Sequence, residues 1–233
     1  ELGAAGQAML MVPAESDADG SLVRSAIVDA FILCAMDERD PAVAAVRARR
    51  LPIVTAGSPR LSGAPFVGID NRAAGAAVAQ HLLDLGHTSF GLVTRPVRDD
   101  SHGTWRGGAP RLGIRQRVEG FVHAVQEAGL DESAVQIVTA TENTAEAGAE
   151  AARTLIEASA DGRPTAIFAA TDVLALGVLS AADSAGLRVP NHLSVVGFDD
   201  IPEAALSVPT LTTVAQSLFE QGVQAARLAL ASM

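Results

Sequence analysis

Short apolar runs alternate along the chain with longer stretches in which apolar residues recur every three or four positions. The short runs predict buried strands, and the periodic stretches predict helices with one apolar face. The predicted strands are 8–12, 29–35, 51–56, 66–69, 90–94, 135–139, 165–170, 193–198 and 211–214. The predicted helices are 41–50, 71–85, 115–128, 144–159, 172–185 and 216–231. Gly86, Gly129 and Gly186 follow three of these helices and are typical helix stops.

Strands that are joined through helices predict parallel sheets with helices on both faces. The predicted strands lack a polar alternation, which agrees, because parallel strands are buried on both faces. Nine strands are many for one small sheet, and the segment 95–114, rich in Arg and Gly, interrupts the alternation near the middle of the chain. The sequence therefore predicts an α/β protein of two doubly wound parallel-sheet lobes, with ligands bound at the carboxyl ends of the strands.

Composition narrows the possible functions. The formal charge of −10 disfavours a free-standing nucleic-acid binder, which needs a basic patch. All 17 basic residues are arginine, and without lysine there is no Schiff-base lysine, no phosphate-binding GK[ST] loop and no Ser–Lys catalytic pair. The single cysteine, Cys34, excludes a disulfide framework, and its apolar neighbours indicate a core residue rather than a nucleophile. The sequence contains no run of 18 apolar residues, so it predicts no membrane-spanning helix.

Two polar pairs follow predicted strands and are the first candidates for ligand contact. Thr171 and Asp172 come after the strand 165–170, and Asp199 and Asp200 come after 193–198. Asp172 also has the plain interpretation of a helix N-cap, and the pair at 199 and 200 that of solvated loop residues. Adjacent carboxylates alone do not form a general acid–base pair, because successive side chains diverge.

Arg117 and Trp105 are the other candidates. An arginine in the first turns of a helix can direct a bidentate donor pair at hydroxyls, carboxylates or phosphates, although Arg117 could equally pair with Glu119 on the surface. Trp105 could stack on a sugar ring or a base, or could simply anchor its loop. No GxSxG, HExxH or GxGxxG motif occurs, and His81 and His87 have no partners at metal-ligand spacing. We therefore expect no enzyme activity, no cofactor and no metal.

Three segments resemble the effector-binding core of the LacI/GalR family of bacterial transcription regulators. They are 70–93, with Asp-Asn before a helix and LGH before a strand; 164–200, with GLRVP and VVGFDD; and 208–230, with VPTLTTVAQ. The resemblance implies a periplasmic-binding-protein-like type I fold that binds a small effector, often a sugar or nucleoside, between two lobes. It places 1–94 and 214–233 in the N-terminal lobe and 95–213 in the C-terminal lobe, with crossings near Thr94 and Thr213.

The same resemblance assigns site residues by position. Arg117 matches the arginine of the RxxGF pattern, Asp199 the ligand-contacting aspartate, and Asp70 the aspartate of the IDN segment near the cleft. Thr171 occupies a position that is often Asn, and Trp105 would cover an apolar sugar face. A cytoplasmic homodimer that binds operator DNA is further implied.

The chain also departs from the family pattern. The N-terminal helix-turn-helix, the first strand and helix of the core, and the strand after the last helix have no counterpart, so we expect a fragment of a longer protein. Operator DNA would then be bound by a domain outside this chain.

Three functions compete: a ligand-responsive regulator, a solute-binding protein of a sugar transporter, and an enzyme on a doubly wound fold. The VPTLTTVAQ segment favours the regulator.

Overall fold

Two parallel sheets organise the chain. A computed structural model describes residues 2–12, 20–95, 112–157 and 162–233. The strands, in chain order, are β1 (Phe31–Cys34), β2 (Ile53–Ala56), β3 (Phe66–Val67), β4 (Phe90–Thr94), β5 (Val135–Thr139), β6 (Ala166–Ala169) and β7 (Ser194–Val196). The helices are α1 (Ser21–Ser25), α2 (Pro41–Arg49), α3 (Asn71–Asp84), α4 (Leu112–Glu127), α5 (Ala145–Ile156), α6 (Asp172–Ser184), α7 (Pro202–Leu206) and α8 (Leu218–Ser232). The first sheet has the order β1-β2-β3 and the second β5-β4-β6-β7, and all pairings are parallel.

The first compact unit comprises residues 1–69 and 217–233. Its sheet is covered by α2 on one side, through buried Val43 and Val46, and by α8 through buried Ala225 and Ala229. The Arg49 guanidinium reaches back from the end of α2 and donates to carbonyl groups at the end of α1. These contacts satisfy carbonyls that a short helix leaves open.

The second unit comprises residues 70–216 and is built around a row of four phenylalanines. Phe90, Phe121, Phe168 and Phe198 are fully buried, with successive ring centroids 5.5, 5.5 and 6.5 Å apart. They come from β4, from α4, from β6 and from the residues that follow β7. The aromatic column therefore ties the helix and the strands that carry the candidate polar residues into one rigid core.

Helices α3 and α4 touch backbone to backbone. A Cβ added at Gly75 would overlap the carbonyl of Arg117, and one added at Gly120 would overlap the carbonyl of Arg72. The two glycines thus let the helices approach more closely than any side chain allows. Since Arg117 lies at this crossing, its main chain is fixed by the packing of α3.

Several sequence-based expectations on the fold are confirmed. The alternation of strands and helices, the parallel sheets and the two α/β units are all present. Helix α4 begins three residues before the predicted start, and α8 two residues after. Segment 211–214 forms only one isolated bridge, between Thr212 and Val196, and the next residue, Ala215, forms another with Asp199.

The expected division near Thr94 is wrong. β4 lies in the middle of the second sheet, hydrogen-bonded to β5 and β6, and α3 packs on α4 of the same unit. The unit boundary therefore falls at 69/70, and the second boundary at 216/217 instead of 213/214. Helix periodicity predicted α3 correctly but says nothing about which sheet the helix covers.

Two further expectations fail in the first unit. Segment 8–12 is not a strand, and Met9, Leu10 and Met11 are exposed, because no described residue pairs with this segment. Cys34 is exposed and not part of the core, because β1 is an edge strand that pairs only with β2 among the described residues.

None of the described helices is long and apolar enough to span a membrane.

The glycine contact generates a stability prediction. Gly75→Ala and Gly120→Ala should each lower the stability of the protein by about 1–3 kcal/mol, because backbone atoms cannot rotate away from the added methyl group. Gly222→Ala is the matched control: it is also a helical glycine, but a Cβ there meets nothing within 4 Å. It should raise stability by about 0.5–1 kcal/mol. Thermal denaturation of the three variants measures this, and equal shifts in all three would contradict the packing argument.

Candidate ligand-binding site

The carboxyl ends of β5, β6 and β7 lie at one edge of the second sheet, and polar residues follow each of these strands. Asn143 follows β5, Thr171 follows β6, and Asp199 follows β7. Arg117 joins them from the second turn of α4. In an open α/β sheet this edge is where ligands bind.

Arg117 is the centre of the site and is buried, with 7% of its surface exposed. Its Nε donates to Asn71 Oδ1 at 2.9 Å, and its Nη1 donates to the carbonyl of Ala170 at 2.8 Å. The guanidinium carbon lies 3.4 Å from the centroid of the Phe198 ring, on its face. These contacts replace the water that a buried guanidinium loses.

The outer nitrogen of this guanidinium makes no hydrogen bond to the described part of the protein. No hydrogen bond within the described residues reaches Arg117 Nη2, and no buried side-chain nitrogen or oxygen there lacks a partner. Among the described residues Nη2 therefore has no partner, and it presents two N–H donors whose direction the rest of the side chain has already fixed.

Asp199 stands beside Arg117. Its Oδ1 lies 3.6 Å from Arg117 Nη1 and accepts a hydrogen bond from Gln216 Nε2. Within the described part of the chain, Oδ2 has no hydrogen-bond partner. The pair therefore offers an open acceptor next to an open donor, and the side chains of Asp199 and Arg117 are only 18% and 9% exposed.

The backbone that carries Asp199 is strained and is held in place from several sides. Asp199 and Asp200 both have positive φ, 128° and 58°, which is costly for residues other than glycine. The Asp199 N–H donates to the carbonyl of Val214 at 3.0 Å. Such strain persists only where neighbouring contacts fix the chain, and it is frequent at ligand sites.

Asp172 supplies the rest of that support. Its fully buried carboxylate accepts from the Ile201 N–H at 2.9 Å and from Thr213 Oγ1 at 2.6 Å. Its own N–H donates to the carbonyl of Phe198 at 2.7 Å. The interpretation of Asp172 as the helix cap is wrong, because Thr171 is the N-cap of α6.

Burial shifts the proton affinities of both central groups. Burial lowers the pKa of Arg117 to about 10, against an opposing effect of Asp199. Burial raises the pKa of Asp199 to about 6, although Arg117 and the hydrogen bond from Gln216 act in the other direction. For Asp199 the loss of hydration therefore outweighs the attraction of the neighbouring cation.

The structure brings together some of the residues that the sequence singles out. Arg117 and Asp199 form the centre, and Thr171 lies at the same edge as a buried cap residue. Asp70 is exposed and caps α3 by accepting from the Ala73 N–H at 3.0 Å, and its described contacts include no ion pair or hydrogen bond with Arg117. Trp105 lies outside the described residues, so its role stays a prediction.

Four contributing residues were not singled out from the sequence, namely Asn71, Asn143, Phe198 and Gln216. Three of them lie inside the family-like segments, in Asp-Asn, GFDD and TTVAQ, so a residue-by-residue comparison of those motifs could have found them. Asn143 lies in no such motif. The described residues contain no cluster of three or more metal-ligating side chains.

The raised pKa of Asp199 predicts how a substitution changes stability with pH. The folded state holds the Asp199 proton more tightly than the unfolded chain, so this group contributes stability at low pH that is lost as the pH rises through about 6. Asp199→Asn cannot ionise and still accepts from Gln216. Its stability relative to the unmodified protein should therefore increase between pH 4.5 and 7.5, by on the order of 2 kcal/mol.

Thermal denaturation of both proteins across that pH range checks this prediction. Taking the difference between the two cancels the titration of all other groups. A difference that stays constant, or that falls as the pH rises, would show that Asp199 is not held in a desolvated environment.

Comparison with known proteins supports the fold. Residues 79–233 match the family model of the periplasmic binding protein-like domain. An HTH-type transcriptional regulator of Mycobacterium tuberculosis is 36% identical over 99% of this chain, and the chain spans 65% of the length of that relative.

Two solved structures are also similar. A LacI family transcriptional regulator from Enterococcus faecalis V583 with bound ribose has 25% identity and a TM-score of 0.74, covering 91% of this chain and 71% of its own. The complex of the transcriptional regulator CelR with cellobiose has 28% identity and a TM-score of 0.73, covering 91% of this chain and 61% of its own. The chain belongs to the periplasmic binding protein-like domain family, and within it to the effector-binding cores of the LacI/GalR type.

Proposed function

We propose that this chain is the sensor of a ligand-responsive transcriptional regulator, and that its effector is a neutral sugar. The observation that carries the proposal is the pair Arg117 and Asp199, whose Nη2 and Oδ2 make no hydrogen bond to the described residues. A hydroxyl group both accepts and donates, so a pair of neighbouring sugar hydroxyls matches this donor and acceptor together.

The charges that act on the site favour a neutral ligand over an anionic one. Arg117 and Arg95 contribute positive charge there, and Asp199 and Asp172 contribute negative charge. A ligand with a phosphate or carboxylate group would lose its hydration and come close to the negative charge of Asp199. The site has no surplus of positive charge to compensate for these two costs. A sugar forms the same hydrogen bonds without that penalty.

The relatives support the regulator. The curated relative is named as a helix-turn-helix regulator, and the two similar structures contain ribose and cellobiose. Operator DNA would be bound by a segment outside this chain, in a cytoplasmic homodimer. The effector would act by binding one functional state of the regulator more tightly than another. A nucleoside is the second candidate effector, since its ribose carries neighbouring hydroxyls.

The proposal predicts which side chains control affinity. Arg117→Lys removes the two N–H donors of Nη2 but keeps the positive charge. Asp199→Asn replaces the Oδ2 acceptor with an amide NH2 donor. Each should lower the affinity for a bound sugar at least about tenfold. Arg115→Lys is the matched control, because Arg115 lies two residues away on α4 and forms an exposed ion pair with Glu119.

Calorimetric titration of the intact protein with ribose, glucose, galactose, cellobiose, glucose 6-phosphate and adenosine tests the proposal. We expect a neutral sugar to bind, its phosphate to bind more weakly, and Arg115→Lys to behave as the unmodified protein. Preferred binding of the phosphate would exclude the neutral-ligand argument. Equal loss in Arg115→Lys and Arg117→Lys would exclude this site.

A further inference from the structure

β5 is an edge strand of the second sheet. Within the described part of the chain it pairs with β4 alone, whereas Thr212 bridges the opposite edge strand at Val196. Native sheets commonly protect a free edge with a charged side chain or a proline. The sequence of β5 is Val-Gln-Ile-Val-Thr and contains neither. Its outer side can therefore accept another strand.

The outward backbone groups of β5 belong to its middle and its end. The Ala140 N–H donates to the carbonyl of Thr94, the last residue of β4, at 2.8 Å. Because successive residues of a strand alternate in direction, the N–H and C=O of Val138 also face β4, and those of Ile137 and Thr139 face away from it. The hydrogen bonds of the described residues include no acceptor for the N–H of Ile137 or Thr139.

An apolar groove lies beside this edge, between α4 and β5. Its volume is about 240 Å³, and its walls include the side chains of Val118, Val122, Val135 and Ile137. Pockets for small organic ligands measure about 300–1,000 Å³, so this groove suits single side chains better than a whole small molecule. A strand added to β5 would present every second side chain on the face where the groove lies.

The rim of the groove is acidic. Glu132 lines it and Asp131 directly precedes Glu132, and the ion pairs of the described residues include neither carboxylate. Glu119 and His123 also line the groove, but each already lies within ion-pair distance of an oppositely charged type of side chain. The unpaired charge at the rim is therefore negative, and an arginine or lysine in the added strand would be complementary to it.

The same charges make a second copy of this chain a poor occupant. Antiparallel pairing of two β5 strands about Ile137 would bring Glu132 of one copy opposite Glu142 of the other, since each lies five residues from Ile137. Like charges placed opposite each other are destabilising. Each copy would also bring its net charge of −10.

We propose that the groove between α4 and β5 binds an extended, basic segment of a partner protein, which adds a strand to the free edge of β5. Backbone hydrogen bonds to Ile137 and Thr139 would supply affinity, and the groove and Glu132 would select an apolar and a basic side chain. This inference goes beyond the proposed function and does not depend on the effector.

Two synthetic peptides probe the groove in an NMR titration of the intact, isotope-labelled protein. Both are acetylated and amidated and alternate threonine with valine or leucine; one carries arginine at both ends, and the other carries glutamate. We expect the arginine peptide to bind at least about fivefold more tightly. At saturation, exchange of the Ile137 N–H with solvent should slow about tenfold or more, while exchange of the Val138 N–H, which faces β4, should change far less.

Charge reversal at the rim provides a matched pair of variants. Glu132→Lys should reverse the preference, so that the glutamate peptide binds more tightly than the arginine peptide. Glu203→Lys is the control, because Glu203 is also exposed and in the first turn of a short helix, but follows the opposite edge strand β7. It should leave the preference unchanged.

Ile137→Lys tests the edge itself. It places on β5 the kind of charge that protects natural edges, and it should abolish binding of the arginine peptide. Its melting temperature reports whether it folds. If it does not, the comparison of Glu132→Lys with Glu203→Lys decides alone.

Three results would overturn the inference. They are equal affinity for the two peptides, binding that leaves the Ile137 N–H unprotected, and an equal effect of Glu132→Lys and Glu203→Lys. A dimer in analytical ultracentrifugation that Ile137→Lys dissociates would show that a second copy occupies the groove, and would overturn it as well.

Discussion

A buried arginine side chain sets the requirements for the second unit. A guanidinium that is taken out of water loses a large hydration energy, which the protein must replace with hydrogen bonds and charge. Arg117 obtains them from three elements: an amide oxygen at the start of α3, a carbonyl after β6, and a carboxylate after β7. Each compensating contact fixes the element that supplies it, so the edge of the sheet is ordered around this one side chain.

The aromatic column and the glycine crossing explain why that arrangement is rigid. Phe198 ends the column and lies against the guanidinium, so the core of the unit continues directly into the site. On the other side, the main chain of Arg117 contacts Gly75. The side chain is therefore held at both its base and its tip, which keeps Nη2 directed without a bound ligand. Preorganised donors lose little freedom on binding.

The sequence predicts the local elements well, because helix and strand periodicities are properties of neighbouring residues. It also singles out Arg117 and Asp199 as candidate site residues, through motifs that resemble the LacI/GalR cores. It does not predict the 69/70 boundary, since an apolar face on α3 does not reveal its partner sheet. Nor does it predict Asn143, because no local pattern distinguishes this asparagine from a loop residue. Its relation to Thr171 arises only when β5 and β6 end at the same edge of the sheet.

The close approach of α3 and α4 has a consequence for how such a sensor can change over evolution or in the laboratory. A contact between side chains can be adjusted by a compensating substitution. A contact between two backbones contains no side chain that a second substitution could change. Gly75 and Gly120 must therefore be inherited together, as the fixed part of the molecule. The same kind of contact joins α5 and α6, where a Cβ added at Gly177 would overlap the carbonyl of Ala145. Effector preference can therefore change only through side chains, while the frame that aims Arg117 stays the same.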